Sequence, residues 1–97
     1  MHTEVEFEYI PRTFCDDPRV RVMIFRERGN ATLEFSYSAI VDICRPASDG
    51  RADMLQALRR YVPDLLRILN EKIAAMPPGG VAFITREMLL RRDIAAA

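Results

Sequence analysis

The stretch Ala31-Thr32-Leu33-Glu34-Phe35-Ser36-Tyr37-Ser38-Ala39-Ile40-Val41-Asp42-Ile43-Cys44 contains the change of period on which the fold turns. Over residues 31–37 every second side chain is apolar. Ala31, Leu33, Phe35 and Tyr37 are assigned to a core and Thr32, Glu34 and Ser36 to the outside, the period of a half-buried strand. Past that point the alternation fails. Ser38 is the natural N-cap for a short helix over 39–44, and Pro46 enforces its end. A strand therefore hands over to a helix within a few residues, and the chain divides into a strand-rich half and a helix-rich half.

Upstream, residues 4–10 read Glu-Val-Glu-Phe-Glu-Tyr-Ile, placing Val5, Phe7 and Tyr9 on one face and Glu4, Glu6 and Glu8 on the other. Pro11 to Pro18 has the chemistry of a loop. A second strand is expected over 19–27, and Arg28-Gly29-Asn30 supplies the positive-φ residues of a tight hairpin into the third strand, 31–37. Downstream, 47–50 is a loop. Then Leu55, Leu58, Val62, Leu65, Leu69, Ile73 and Met76 recur at intervals of three and four, predicting one amphipathic helix over 53–76. Pro63 lies inside it, and since the stripe keeps phase across the proline, a kinked single helix is expected. Pro77-Pro78-Gly79-Gly80 reverses the chain, 81–85 is a short apolar strand, and Thr85 caps a last turn through Leu90, with 95–97 frayed. The order β-β-β-α-α-β predicts an α+β domain: a four-stranded antiparallel sheet with a short helix and one long kinked helix on one face.

At 97 residues and 11.1 kDa the chain is long enough for a single domain (1–97) that buries about 65% of its surface without a metal or disulfide. It has 49% hydrophobic and 29% charged residues, with 14 basic balanced by 14 acidic, which excludes a disordered chain and argues against a generic phosphate binder. Lys72 is the only lysine among those 14 basic residues. A G+C-rich bacterial genome explains the arginine excess most simply; selection for bidentate carboxylate or phosphate contacts is the sharper alternative. Cys15 and Cys44 are far apart and the one histidine is His2, so no metal-ligand set of usual spacing can be assembled, and free thiols in a reducing cytoplasm are the default. The acidic start and the lack of a long apolar run point to a cytoplasmic protein without a membrane span.

Catalytic chemistry finds little to work with. Cys15 has no internal histidine to activate it, Asp16 and Asp17 are adjacent turn residues, and the glycines at 79–80 follow a helix where a phosphate cradle would precede one. No catalytic residue and no cofactor is assigned. Arg59, Arg60, Arg67 and Lys72 give the long helix a basic surface that would suit a nucleic-acid backbone, although Asp64 and Glu71 interrupt it and Arg67 stands four residues from Glu71. The most informative oddity is on the second strand. If Val20, Val22 and Ile24 face the core, then Met23 and Phe25 project from the opposite face and require a cover: the C-terminal segment Met88 to Ile94, a second copy, or solvent. A homodimer built on Met23 and Phe25, with Arg19 and Arg21 meeting Glu4 and Glu6 of the other copy, is the expected association.

The order of elements resembles a known family. A strand of the type Val5-Glu6-Phe7, an aromatic residue at Phe14, a hairpin, Glu34-Phe35-Ser36-Tyr37-Ser38-Ala39-Ile40-Val41 running from strand into helix, and a long helix before a last strand are similar to the bacterial domain of unknown function 1488 family over roughly residues 4–90. Phe14 stands where that family often has tryptophan, and Val62 where it has a basic residue. The resemblance implies a small cytoplasmic bacterial α+β protein and supplies no active site. The functional expectation is a non-catalytic interaction or regulatory accessory protein with an unknown protein partner. A nucleic-acid-binding protein and a small enzyme with an unrecognised site are the alternatives.

Overall fold

The computed structural model describes residues 4–90. Three strands form a meander: β1 (Glu4–Ile10), β2 (Arg19–Phe25) and β3 (Ala31–Phe35), each antiparallel to the next. β2 and β3 end two residues earlier than the alternation suggests. The helices follow: a single α turn, α1 (Tyr37–Ala39), runs into a π turn over Ile40–Cys44, and α2 (Arg51–Ile68) is followed by α3 (Asn70–Ala75). β4 (Val81–Ile84) returns to the sheet beside β3, and residues 86–90 are helical, capped by Thr85, which accepts from the Met88 N–H.

The protein is thus α+β with helices on one sheet face, but the sheet is mixed. β4 lies parallel to β3, with Thr32 opposite Val81 and Phe35 opposite Ile84, giving the order β1-β2-β3-β4. The intervening helices carry the chain back along the sheet, so that β4 starts at the same end as β3, as in any strand-helix-strand crossover. An all-antiparallel sheet would need the chain to re-enter from the other end.

Alternation places its side chains as expected in the core. Val20, Val22, Ile24, Ala31, Leu33 and Phe35 are buried against Ala39, Ile40, Met54, Leu58, Leu65 and Leu69 of the helices. Tyr37 belongs to α1 rather than to the strand. The cap of α1 is Ser36, not Ser38: the Ser36 Oγ accepts from the Ala39 N–H at 3.2 Å, and the helix starts two residues early. Its end is closed at Arg45, whose φ of 51° precedes Pro46 and whose N–H reaches back five residues to the Ile40 carbonyl. The long helix begins at Arg51 and passes through the exposed Pro63 unbroken; the interruption falls at Leu69 (φ −95°, ψ 11°), which separates α2 from α3. The apolar stripe stays in phase because the Leu69 N–H still bonds the Leu65 carbonyl and the Ile73 N–H bonds the Leu69 carbonyl.

The corner where α3 ends is held by one arginine. Arg26, just past β2, donates Nε to the Gly29 carbonyl (2.7 Å), Nη1 to the Ile73 carbonyl (2.7 Å) and Nη2 to the Met76 carbonyl (3.1 Å), while Arg28 adds a bond to Met76 at 2.9 Å. The Ile73 and Met76 carbonyls lie at the C-terminal end of α3, where a cation is favoured. The hairpin tip also meets the following turn directly. The Gly79 N–H bonds the Asn30 carbonyl at 2.7 Å, and Gly29, at φ 108°, lies so close to Pro78 that a Cβ would come within 2.5 Å of the proline's.

The described part of the C-terminal segment, Met88 to Leu90, packs on the helical side, away from Met23 and Phe25. Leu89 is buried in the core on the helical side and Met88 packs against that core; Ile94 and residues 95–97 lie outside the described residues, as does His2. No described helix is long and apolar enough to cross a membrane.

Candidate functional site: the open sheet face

The register fixes what the other sheet face carries. β1 contributes Glu4, Glu6, Glu8 and Ile10; β2 contributes Arg19, Arg21, Met23 and Phe25; β3 contributes Thr32 and Glu34; β4 contributes Val81 and Phe83. Across the strands this gives the rows Glu8-Arg21-Glu34-Phe83 and Glu6-Met23-Thr32-Val81.

Glu34 is the centre of the polar part. The alternation sends it outward, yet it is only 8% exposed, the single buried charged residue among the described residues. Arg19 donates Nε to one carboxylate oxygen at 3.1 Å and Arg21 donates Nε to the other at 2.7 Å, so both oxygens accept a charge-assisted bond. Arg21 also lies 3.5 Å from Glu8. Its guanidinium is raised above the ordinary arginine value, first by the Glu34 hydrogen bond. Arg19 and Arg21, expected to reach a second copy, are thus already engaged within the chain by their Nε groups.

The apolar part lies toward β4. Met23 and Phe25 are half-buried by their neighbours, whereas Val81 is 54% and Phe83 65% exposed. Together with Thr32 and Met23 they line a shallow depression of about 580 Å³. Sequence reasoning missed Val81 and Phe83. The missed signal is that Val81-Ala82-Phe83-Ile84 is apolar at every position, a pattern suited to a strand covered on both faces, whereas β4 has helices on one face only and stands at the sheet edge.

A second depression, of about 500 Å³, lies where the β1–β2 loop meets the start of α1, lined by Asp16, Asp17, Arg19, Ser36 and Ser38 among others. Its polar groups have structural tasks. Asp17 accepts from Arg12, which also holds Asp49 (both 2.9 Å); Arg19 holds Glu34; Ser36 caps α1. Asp16 donates its N–H to the Thr13 Oγ as a turn residue. Cys44 is buried, which pushes its thiol up to about 11, away from the thiolate a nucleophile requires. Cys15 is exposed beside the fully exposed Phe14. Among the described residues no three His, Cys, Asp or Glu side chains gather as metal ligands, and no buried side-chain polar atom lacks a partner.

Arg59 and Arg67, two of the four helical cations, have partners within the chain. The Arg59 guanidinium stacks 5.2 Å from the Phe7 ring centroid, tying α2 to β1, and Arg67 donates to Asp64 at 3.1 Å. Arg60 and Lys72 are exposed elsewhere on α2 and α3. In comparisons with known proteins, the chain matches no family model, no curated protein and no solved structure.

Proposed function

We propose that this chain is a non-catalytic interaction protein of the bacterial cytoplasm that works as a homodimer, with the Val81 and Phe83 side of the open sheet face as its contact surface. The observation that carries the reading is the exposure of two large apolar side chains on an edge strand whose every residue is apolar. A zero net charge keeps repulsion between copies weak. Two free thiols, one of them exposed, suit a reducing compartment. Membership of the family that the sequence resembles belongs to the same proposal and brings no activity with it.

The nucleic-acid alternative draws less support, because two of its four candidate cations are engaged by Phe7 and Asp64. The test of the proposal is sedimentation velocity on the wild type and on Phe83→Glu. A wild type that associates in the high micromolar range and a variant that stays monomeric are expected, since the introduced carboxylate would be desolvated at the contact. A wild type that remains monomeric throughout that range refutes the homodimer. A mobility shift with DNA or RNA that vanishes steeply with salt would move the assignment to nucleic-acid binding.

A further inference from the structure

We infer that two copies join through the free edges of β4, antiparallel about a two-fold axis at Ala82, to make one eight-stranded sheet. The inference rests on the homodimer reading and specifies how the contact is made. In the parallel ladder with β3, the Thr32 N–H bonds the Gly80 carbonyl and the Ser36 N–H bonds the Ile84 carbonyl. By alternation the inward-pointing backbone groups of β4 belong to the even positions, so the N–H and C=O of Val81 and Phe83 point away from β3. No described strand pairs with them.

A two-fold axis at Ala82 places Val81 opposite the other copy's Phe83, and Phe83 opposite its Val81. Both are then hydrogen-bonded pairs, each exchanging two backbone bonds, and both bring a β-branched side chain beside an aromatic one on the open face, a favoured cross-strand pairing. The strand satisfies itself without a change of register, and no charge faces a like charge.

Charge selects this mode over stacking the two open faces. Face stacking would press four carboxylates and two guanidinium groups of each copy (Glu4, Glu6, Glu8 and Glu34 against Arg19 and Arg21) onto the same set, both net negative and with the arginines already committed. Edge pairing desolvates none of them. The opposite edge of the sheet is guarded, since β1 carries three glutamates along its length, the usual device against pairing, whereas β4 is protected only by its shortness. Four residues per copy make a small contact, so the dimer is a weak and reversible one.

The test is disulfide trapping. In the paired state the Ala82 Cα atoms are about 4.5 Å apart, within the range a disulfide spans, whereas stacked sheets stand about 10 Å apart. Ala82→Cys in a Cys15→Ser background, oxidised by diamide, is expected to give a covalent dimer, and Thr32→Cys in the same background is expected not to. Val81→Pro, which removes an outward N–H and no β3–β4 bond, is expected to weaken sedimentation-detected association at least about tenfold while leaving circular dichroism unchanged. A dimer that persists in sedimentation but does not cross-link at Ala82→Cys overturns edge pairing and leaves the homodimer standing with another contact, such as stacked faces. A monomer overturns both; slow amide exchange at Val81 and Phe83 in that monomer would assign the edge to residues 91–97 of the same chain.

Discussion

Replacing Arg26 by alanine removes the fork that closes the corner between the β2–β3 hairpin and the end of α3. Three of its bonds, to the carbonyls of Gly29, Ile73 and Met76, are between 2.7 and 3.1 Å. A hydrogen bond from a charged donor contributes about 1.5–3 kcal/mol. Arg26 is half-buried and Arg28 still serves Met76, so water and a neighbour take up part of the loss, and about 2–4 kcal/mol is expected for the whole group. For a domain of this size that is a fall in Tm of roughly 10–25 °C. Arg26→Lys keeps a cation near the helix end, worth about 0.3–1 kcal/mol, but a point charge cannot bridge three carbonyls, so it should recover less than half. Urea unfolding followed by circular dichroism measures this directly, as a shift of midpoint at constant slope. An Arg26→Ala variant within about 0.5 kcal/mol of the wild type, near the scatter of an ordinary surface change, would falsify the account and show that these carbonyls are equally well served by water.

Gly29→Ala should cost at least about 2 kcal/mol, because φ is 108° there and the new Cβ meets Pro78; Gly79→Ala, at φ 76° with open space around it, should cost about 1 kcal/mol, and equal losses in denaturant melts would contradict the Pro78 contact. Cys44 gives a pH signature. Its folded value, about 11, lies above the ordinary 9.0, so its contribution is whole below pH 9 and is lost as the pH rises from there toward 11, by about 2–3 kcal/mol at most. Stability measured in reductant from pH 8 to 11 should fall more steeply in the wild type than in Cys44→Ala, and parallel curves would refute the buried thiol's part in it.

The strand faces were legible because a single period governs them: the residues assigned inward on β2 and on β3 up to Phe35 are buried. Alternation sends Glu34 outward, as the register has it, but its burial depends on two side chains from the adjacent strand reaching over it, a relation the local pattern does not encode. The direction of β4 was equally hidden, since a four-residue apolar run reads the same in a parallel or an antiparallel pair. Pro63 is the residue type that signals a break, yet the break falls at Leu69. A proline on the exposed side of a helix forfeits one bond but need not stop it, and the helix breaks instead where no residue type announces it. Met23 and Phe25 lie on the open face as the alternation has it, and the more exposed apolar pair of that face, Val81 and Phe83, sits on the strand whose place in the sheet the local pattern does not encode.

The clasp between the hairpin tip and the turn before β4 changes the cost of joining that strand to the sheet. Five residues separate β2 from β3, but 45 separate β3 from β4. On loop-closure arithmetic the longer connection costs about 2 kcal/mol more chain entropy, charged against a strand of only four residues. Arg26 on Ile73 and Met76, Asn30 on Gly79, and Gly29 against Pro78 fix the chain immediately ahead of Val81 to the loop immediately ahead of Ala31. Once those contacts stand, the distance left to close is a few residues, and β4 enters the sheet with nearly the local economy of a hairpin strand.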